Sequence, residues 1–293
     1  MNLVEIIRQR IINLRRSLHM VARNKLSLVA LIVIVIIVLA ALLAPWIIPF
    51  PGDIVDDTNI AQRFLEPNRV NLFGTDELGR DIFSRVVYAS RISLSSAALA
   101  VSIALLIGIP LGAIAGTSGG KIDNFIMRVT DVFLGFPPLL LCIVIVAIMG
   151  ASLTNAVIAI AISWWPGYAR LVRGQAISIK ERQFVLAAET IGTSKAKIIF
   201  KHVLPNTISP VIVQASMDMG GVILTVAALS YLGLGAQLPT PEWGLMISMG
   251  QSFFPDMWWC SMFPGLAIFI TVLSFNLLGD AIREILDPKT RKE

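Results

Sequence analysis

ERQFVLAAETIGTSKAKIIFKHVLPN, residues 181–206, is the longest polar interruption in the second half of a very apolar chain. Its spacing is that of folded structure. Phe184, Ala187, Ala188 and Ile191 stand at i, i+3, i+4 and i+7, which puts them on one face of a short helix. Gly192 follows where a glycine ends such a helix, and Thr193 or Ser194 can cap a second one. The second helix would carry Ala196, Ile198, Ile199 and Val203 and stop at Pro205. A compact helix–turn–helix with an Ala-Ala face between apolar runs fits two roles. It can be a loop helix packing on its own chain, or a surface built to be touched by another protein.

What surrounds this loop sets the class. The chain has 293 residues, 56% hydrophobic and 15% charged, with a mean hydropathy of +0.77. A soluble domain carries about a quarter charged residues, so the composition is that of an integral membrane protein. The net charge of +5 does not point to nucleic acid, because the basic residues cluster at the ends of apolar runs. Cys142 and Cys260 lie in or beside apolar runs and read as buried free thiols.

Six spans are expected, at about 26–48, 92–115, 129–149, 153–168, 207–234 and 262–278, giving an all-α membrane fold. Residues 1–25 carry six bases against Glu5 and a loose apolar stripe, the pattern of a helix lying on the membrane surface. That basic leader is too long for a signal peptide, and Leu26–Leu43 is long enough to stay as an anchor. Residues 49–91 form a polar segment between spans. Residues 92–282 hold the other five spans with the loop 170–206, and 283–293 form a tail. In the second span Ala104, Gly108, Gly112 and Gly116 recur every four residues, a stripe that admits another helix closely. Pro137 and Pro138 interrupt the third span, and Pro166-Gly167 kinks the end of the fourth.

Of the 24 lysines and arginines, 19 fall on the side of the termini and of residues 181–206. The other five all lie within 51–91. The positive-inside rule then puts both termini and the loop in the cytoplasm. The loops on that side are too small to be catalytic domains, so whatever reads them comes from another chain.

Several classes of chemistry lack their residues. An ion-driven carrier of this size would show several ionisable groups inside its spans. Here Asp218 is the clear mid-span acid, with Gln214 and Ser216 as polar company. The nearest approach to a phosphate-binding loop is AGTSGGK, 115–121, with Ala115 in place of the first glycine and Ile122 after the lysine. His19 and His202 are the only histidines, too few for a metal cluster, and neither lies within a span where a Ser/His/Asp set could be built. The expectation is a pathway powered from elsewhere, with no cofactor of its own.

Residues 181–206 also resemble the cytoplasmic "EAA" loop of binding-protein-dependent ABC importer permeases. The matching residues are Ala187-Ala188, Gly192 and Leu204-Pro205. Leu186 stands where that motif has glutamate, and His202 where isoleucine is common. LFGTDELGRDIFSRVVYASRISL (72–94), DNFIMRVTDVFLGFP (123–137), LGLGAQLPTPEWG (232–244) and FNLLGDAIREILDP (275–288) are similar to the dipeptide/oligopeptide/nickel branch, in its C-type subunit. The resemblance implies a type I importer permease fold, related to the methionine importer's, in the cytoplasmic membrane. It implies a paralogous permease partner, two ATP-binding subunits that hold ATP and Mg, and an extracytoplasmic solute-binding protein. The cargo would be di- or oligopeptides, with a nickel chelate or an oligosaccharide as the alternative. A self-contained secondary carrier is the rival of another class.

By the same resemblance, Gln183–Ile191 would be a coupling helix seated on an ATPase. Phe184, Ala187, Ala188, Ile191, Gly192, Leu204 and Pro205 would form that element. Asp218 and Gln214 are candidates for the translocation path, and Asp218 could instead pair structurally. Asp76, Arg80 and Asp81 are candidates for contact with the binding protein, or for ion pairs that order the segment feeding the second span.

Overall fold

The structure, a computed structural model, describes residues 24–55 and 58–286. The expected surface helix before Lys25 and the tail after Leu286 lie outside the described residues. Among those described, the regular elements are helices, apart from one isolated bridge between Thr75 and Asp81.

Helix α1, Lys25–Ile47, starts where the Asn24 side chain accepts the Leu26 N–H at 3.1 Å. It is apolar all round. Ala30, Ile34, Ala41 and Ala44 turn inward, while Leu26, Val29, Ile36, Leu42 and Trp46 face out. An isolated helix with that much exposed apolar surface needs lipid or a partner as its solvent.

Helix α2, Ile82–Ser118, is capped by Asp81, whose carboxylate accepts the Ser84 N–H at 2.7 Å. At 37 residues it is about 55 Å long. It begins ten residues before the span expected at Ile92, because Asp81 supplies a cap that hydropathy alone does not register. Helix α5, Leu153–Lys180, runs against it. Gly108, Gly112 and Gly116 make the contact possible. A Cβ on Gly112 would stand 2.3 Å from the Ala169 carbonyl oxygen, and one on Gly108 would stand 2.6 Å from that of Trp165. The small-residue stripe is thus the seam of the bundle.

The third expected span is two elements. Helix α3, Gly120–Leu134, and α4, Pro138–Met149, meet at 89°. Pro138 is well placed at the first turn of α4 and cannot continue α3. Ion pairs Asp123–Arg173 and Asp131–Arg170 fasten α3 to α5.

By length and apolarity, four described helices can cross a membrane, or five if α3 and α4 are one broken span. The expected fourth span corresponds to α5, which is long enough at 28 residues. Asn155, Trp164, Trp165, Tyr168 and Arg170 dilute its hydropathy. It lies among α2, α4 and helix α8 (Leu204–Tyr231), so protein replaces lipid around much of it. Pro166 sits inside this helix and does not end it at Tyr168.

Helix α9, Trp243–Gly250, and α10, Trp259–Leu286, complete the bundle, with α10 packed on α8, α9 and α1. Residues 58–81 fold over the end where α2 begins, opposite residues 181–206. Gly74 and Gly79 there have φ of +76° and +77°. A side chain on Gly79 would collide with the Asn59 carbonyl, 1.9 Å from its Cβ. Trp259 Nε1 donates to the Thr75 carbonyl at 3.2 Å and Trp243 Nε1 to that of Val86 at 3.0 Å. The first indole fastens the cap to α10, and the second ties α9 to the first turns of α2.

Candidate functional site

The loop 181–206 begins with helix α6, Gln183–Thr190. Eight residues make only about two turns, too short to persist on propensity alone, so its order comes from its ends and its anchor. Gly192, at φ +80°, closes it: its N–H donates to the Glu189 carbonyl at 2.9 Å, and the Thr193 N–H to that of Ala188 at 3.0 Å. That pair of bonds is the Schellman arrangement, which requires the left-handed conformation glycine adopts without strain.

The anchor is Val185, 0% exposed, with Ala188 at 9% beside it. Both turn toward the bundle. Phe184, Leu186, Ala187 and Ile191 face outward, Ile191 at 83% exposure. This corrects the expected face: Ala188 belongs to the inner side, and the outer surface is Phe184, Ala187 and Ile191 together with Leu186. The residue that stands in place of the motif's glutamate is therefore an exposed apolar side chain.

Val185 is packed in one cluster with Ala113 of α2, Val172, Ala176 and Ile179 of α5, Ile198 and Val203 of the following turns, and Val211 of α8. The cluster thus joins the seat of α6 to residues of three long helices.

The second half of the loop also departs from expectation. Helix α7, Lys195–Ile198, passes through a π-turn, Ile199–Val203, straight into α8, and Ala196–Tyr231 is continuous. Pro205 opens α8 where it was expected to stop a helix. Lacking an N–H, it cannot bond the carbonyl of Lys201. The neighbouring Leu204 N–H reaches back to Ile199, and the Asn206 side chain donates to the His202 carbonyl at 2.6 Å. The rings of His202 and Phe184 lie 5.7 Å apart, which ties α6 to the π-turn.

Within the bundle Asp218 is half-buried, and Gln214 Nε2 donates to its Oδ1 at 3.0 Å. The buried Tyr168 hydroxyl of α5 approaches the same carboxylate but stops short of a full hydrogen bond. Sequence reasoning missed Tyr168 and Val185. A tyrosine inside an apolar helix, which needs a partner for its hydroxyl, was the available signal for the first.

At the opposite end, Asp76, Arg80 and Asp81 are 8%, 2% and 1% exposed. Arg80 Nε bonds Asp76 at 2.8 Å. Asp81 caps α2 and accepts from Asn71 Nδ2 at 3.0 Å. The expected contact with a binding protein is not open to side chains so enclosed. Their bonds are made within the segment that feeds α2 and to the first turn of that helix. Burial pushes the nearby carboxyls of Glu77 and Asp53 above their ordinary values. The same holds for Glu242, which caps α9 and accepts from Ser93 at 3.1 Å. Among the described residues there is no group of three or more His, Cys, Asp or Glu that could hold a metal ion.

Residues 108–292, which include the whole of this loop, match the family of binding-protein-dependent transport system inner membrane components. The chain belongs to this family. Residues 14–67 match the N-terminal membrane domain of oligopeptide transport permease C. A dipeptide transport system permease protein of Alkalihalophilus pseudofirmus is 46% identical over 94% of this chain and 90% of its own. A nickel transport system permease protein of Escherichia coli K12 is 41% identical over 88% and 92%. A glutathione transport system permease protein of Escherichia coli is 42% identical over 92% and 88%. In the solved structures, a chain of the MetNI methionine ABC transporter superposes with a TM-score of 0.57 at 16% identity. It covers 69% of this chain and 96% of its own, and shares the fold. As an ABC importer permease, the protein is the non-catalytic membrane component, and hydrolysis of ATP belongs to partner subunits.

Proposed function

We propose that this permease carries di- or oligopeptides inward across the cytoplasmic membrane, as one half of a heterodimeric pathway driven through α6. The observation that carries this reading is the mounting of α6. It is closed by Gly192, anchored through Val185 and Ala188, and offers Phe184, Ala187 and Ile191 to a partner. A small residue flanked by two large apolar ones suits insertion into a groove on an ATP-binding subunit. ATP and Mg are held there, and closure of the ATPase pair moves α6. Because Val185 shares one apolar cluster with residues of α2, α5 and α8, that movement rocks these helices against the paralogous permease and switches access between the two sides.

Both termini and α6 lie in the cytoplasm on the distribution of lysine and arginine. A solute-binding protein delivers cargo at the end covered by residues 58–81. Gln214 and Asp218 line the path, with the buried Tyr168 behind them. The peptide cargo rests on the dipeptide relative of highest identity reported above; a nickel chelate or an oligosaccharide moved by the same machinery is the alternative.

The docking face is tested by cysteine crosslinking in the assembled transporter. Ala187→Cys should form a crosslink to an ATP-binding subunit, while Ala188→Cys should react several-fold more slowly because its side chain points inward. Equal reaction at both positions, or none at either, would remove the proposed face.

Gly192→Pro supplies a separate check. It deletes a hydrogen-bonded N–H and forbids φ of +80°, at a cost of about 3 kcal/mol or more. Uptake should be lost while membrane insertion persists, measured by transport in cells against the amount of protein in the membrane.

A further inference from the structure

At the end away from α6, the segment before α2 meets α9 and α10 around a small enclosed space. The cavity has a volume of about 10 Å³ and is lined by Asp76, Glu77, Arg80, Arg85, Met246 and Cys260, among others. Three polar atoms at this place are buried without a hydrogen-bond partner among the described residues: Arg80 Nη2, Arg85 Nε and Glu77 Oε1. The two arginines are 2% and 1% exposed, so bulk water does not reach them. Arg80 Nη2 stands 3.8 Å from Glu77 Oε1 and Arg85 Nε stands 3.7 Å from Asp76 Oδ2. Both separations exceed a direct hydrogen bond, and gaps of this size between buried charges are those a water closes.

We propose that this cavity is a binding site for a single ordered water molecule, bridging Arg80, Arg85 and Glu77. Size and chemistry agree. A cavity of roughly 10–15 Å³ admits one water centre. The site offers two N–H donors and one carboxylate acceptor. Water accepts from both guanidinium groups through its two lone pairs and donates an O–H to Glu77. A halide would satisfy the arginines but face the carboxylate with like charge. A metal cation or ammonium would serve the carboxylates but not the two N–H groups. Leaving buried polar atoms without partners is costly, and more so when they are charged, so the water is a structural member of the junction between the segment feeding α2 and helices α9 and α10.

The test is a structure of the assembled transporter, at a resolution that shows ordered waters, from crystals grown in chloride and again in bromide. One spherical peak within about 3 Å of all three atoms, without anomalous signal in bromide, is the expected result. An anomalous bromide peak would make the site an anion site and overturn the proposal. A dry cavity with the three atoms bonded to one another would overturn it as well. Glu77→Leu gives a second reading in solution. It strands the two arginine N–H groups and should lower the melting temperature by several degrees, whereas an unchanged value would mean that the carboxylate bridges nothing.

Discussion

Gly112→Ala destabilises the permease, although the same change in most helices is favourable. Alanine gains about 0.5–1 kcal/mol over glycine inside a helix. At position 112 the added methyl would stand 2.3 Å from the Ala169 carbonyl oxygen and 2.9 Å from Val172 Cβ. The first neighbour is backbone, so α2 and α5 must move apart along the seam that holds the bundle together. Overpacking of this kind costs about 1–3 kcal/mol, and it loosens contacts at Gly108 and Gly116 as well. The melting temperature in detergent should fall by several degrees. Gly174 provides the control, because a Cβ there meets nothing within 4 Å. Gly174→Ala should leave the melting temperature unchanged or raise it. Equal behaviour of the two variants would contradict the glycine seam.

The second large effect belongs to Val185→Asp. Val185 is fully buried where α6, α5 and the π-turn meet, and a carboxylate there has no partner. Burying an unpaired charge costs several kcal/mol, more than α6 can gain by staying seated. The helix should leave its bed while the spans, held by the rest of the α2–α5 seam and by the packing of α8 on α10, stay folded. In the assembled transporter, ATP hydrolysis should continue while uptake drops by tenfold or more. Val185→Ile keeps the apolar anchor and should retain most of the uptake. Loss of hydrolysis and uptake together would mean that α6 does more than transmit movement.

Much of this was legible in the sequence. The periodic small residues 104–116 announced a close helix contact, and Gly192 announced the end of α6, because each is a local requirement written in one residue type. What was not legible depended on neighbours. Hydropathy could not place the start of α2 at Ile82, since Arg85 and Arg91 interrupt the stretch 82–91 and its first turn is held by the Asp81 cap. It counted α5 as a short span because it could not see that Arg170 and Arg173 are paired with Asp131 and Asp123 of α3. It read Pro205 as a stop, whereas the backbone absorbs the missing N–H in a π-turn. Within α6 the 3.6-residue period put Ala187 and Ala188 on one face. Only tertiary packing, in the cluster Val185 shares with Val172 and Val203, decided that Val185 and Ala188 turn inward.

The charged residues 76–85 gave the same lesson. Acids and arginines in this polar segment fit either a contact for a binding protein or ion pairs that order it. The sequence does not show that Arg80 and Arg85 are among the most enclosed side chains of the molecule. Their partners Asp76, Glu77 and Asp53 come from a segment whose fold no periodicity reveals.

The central claim is that this chain supplies a path and no engine, and that force enters through α6. Uptake of a labelled dipeptide into proteoliposomes tests it most directly, comparing the chain alone with the complete assembly of both permeases, two ATP-binding subunits and the binding protein. The account predicts accumulation only in the complete assembly with ATP and Mg, and none from the isolated chain under any ion gradient. Uphill uptake by the isolated chain without nucleotide would contradict it.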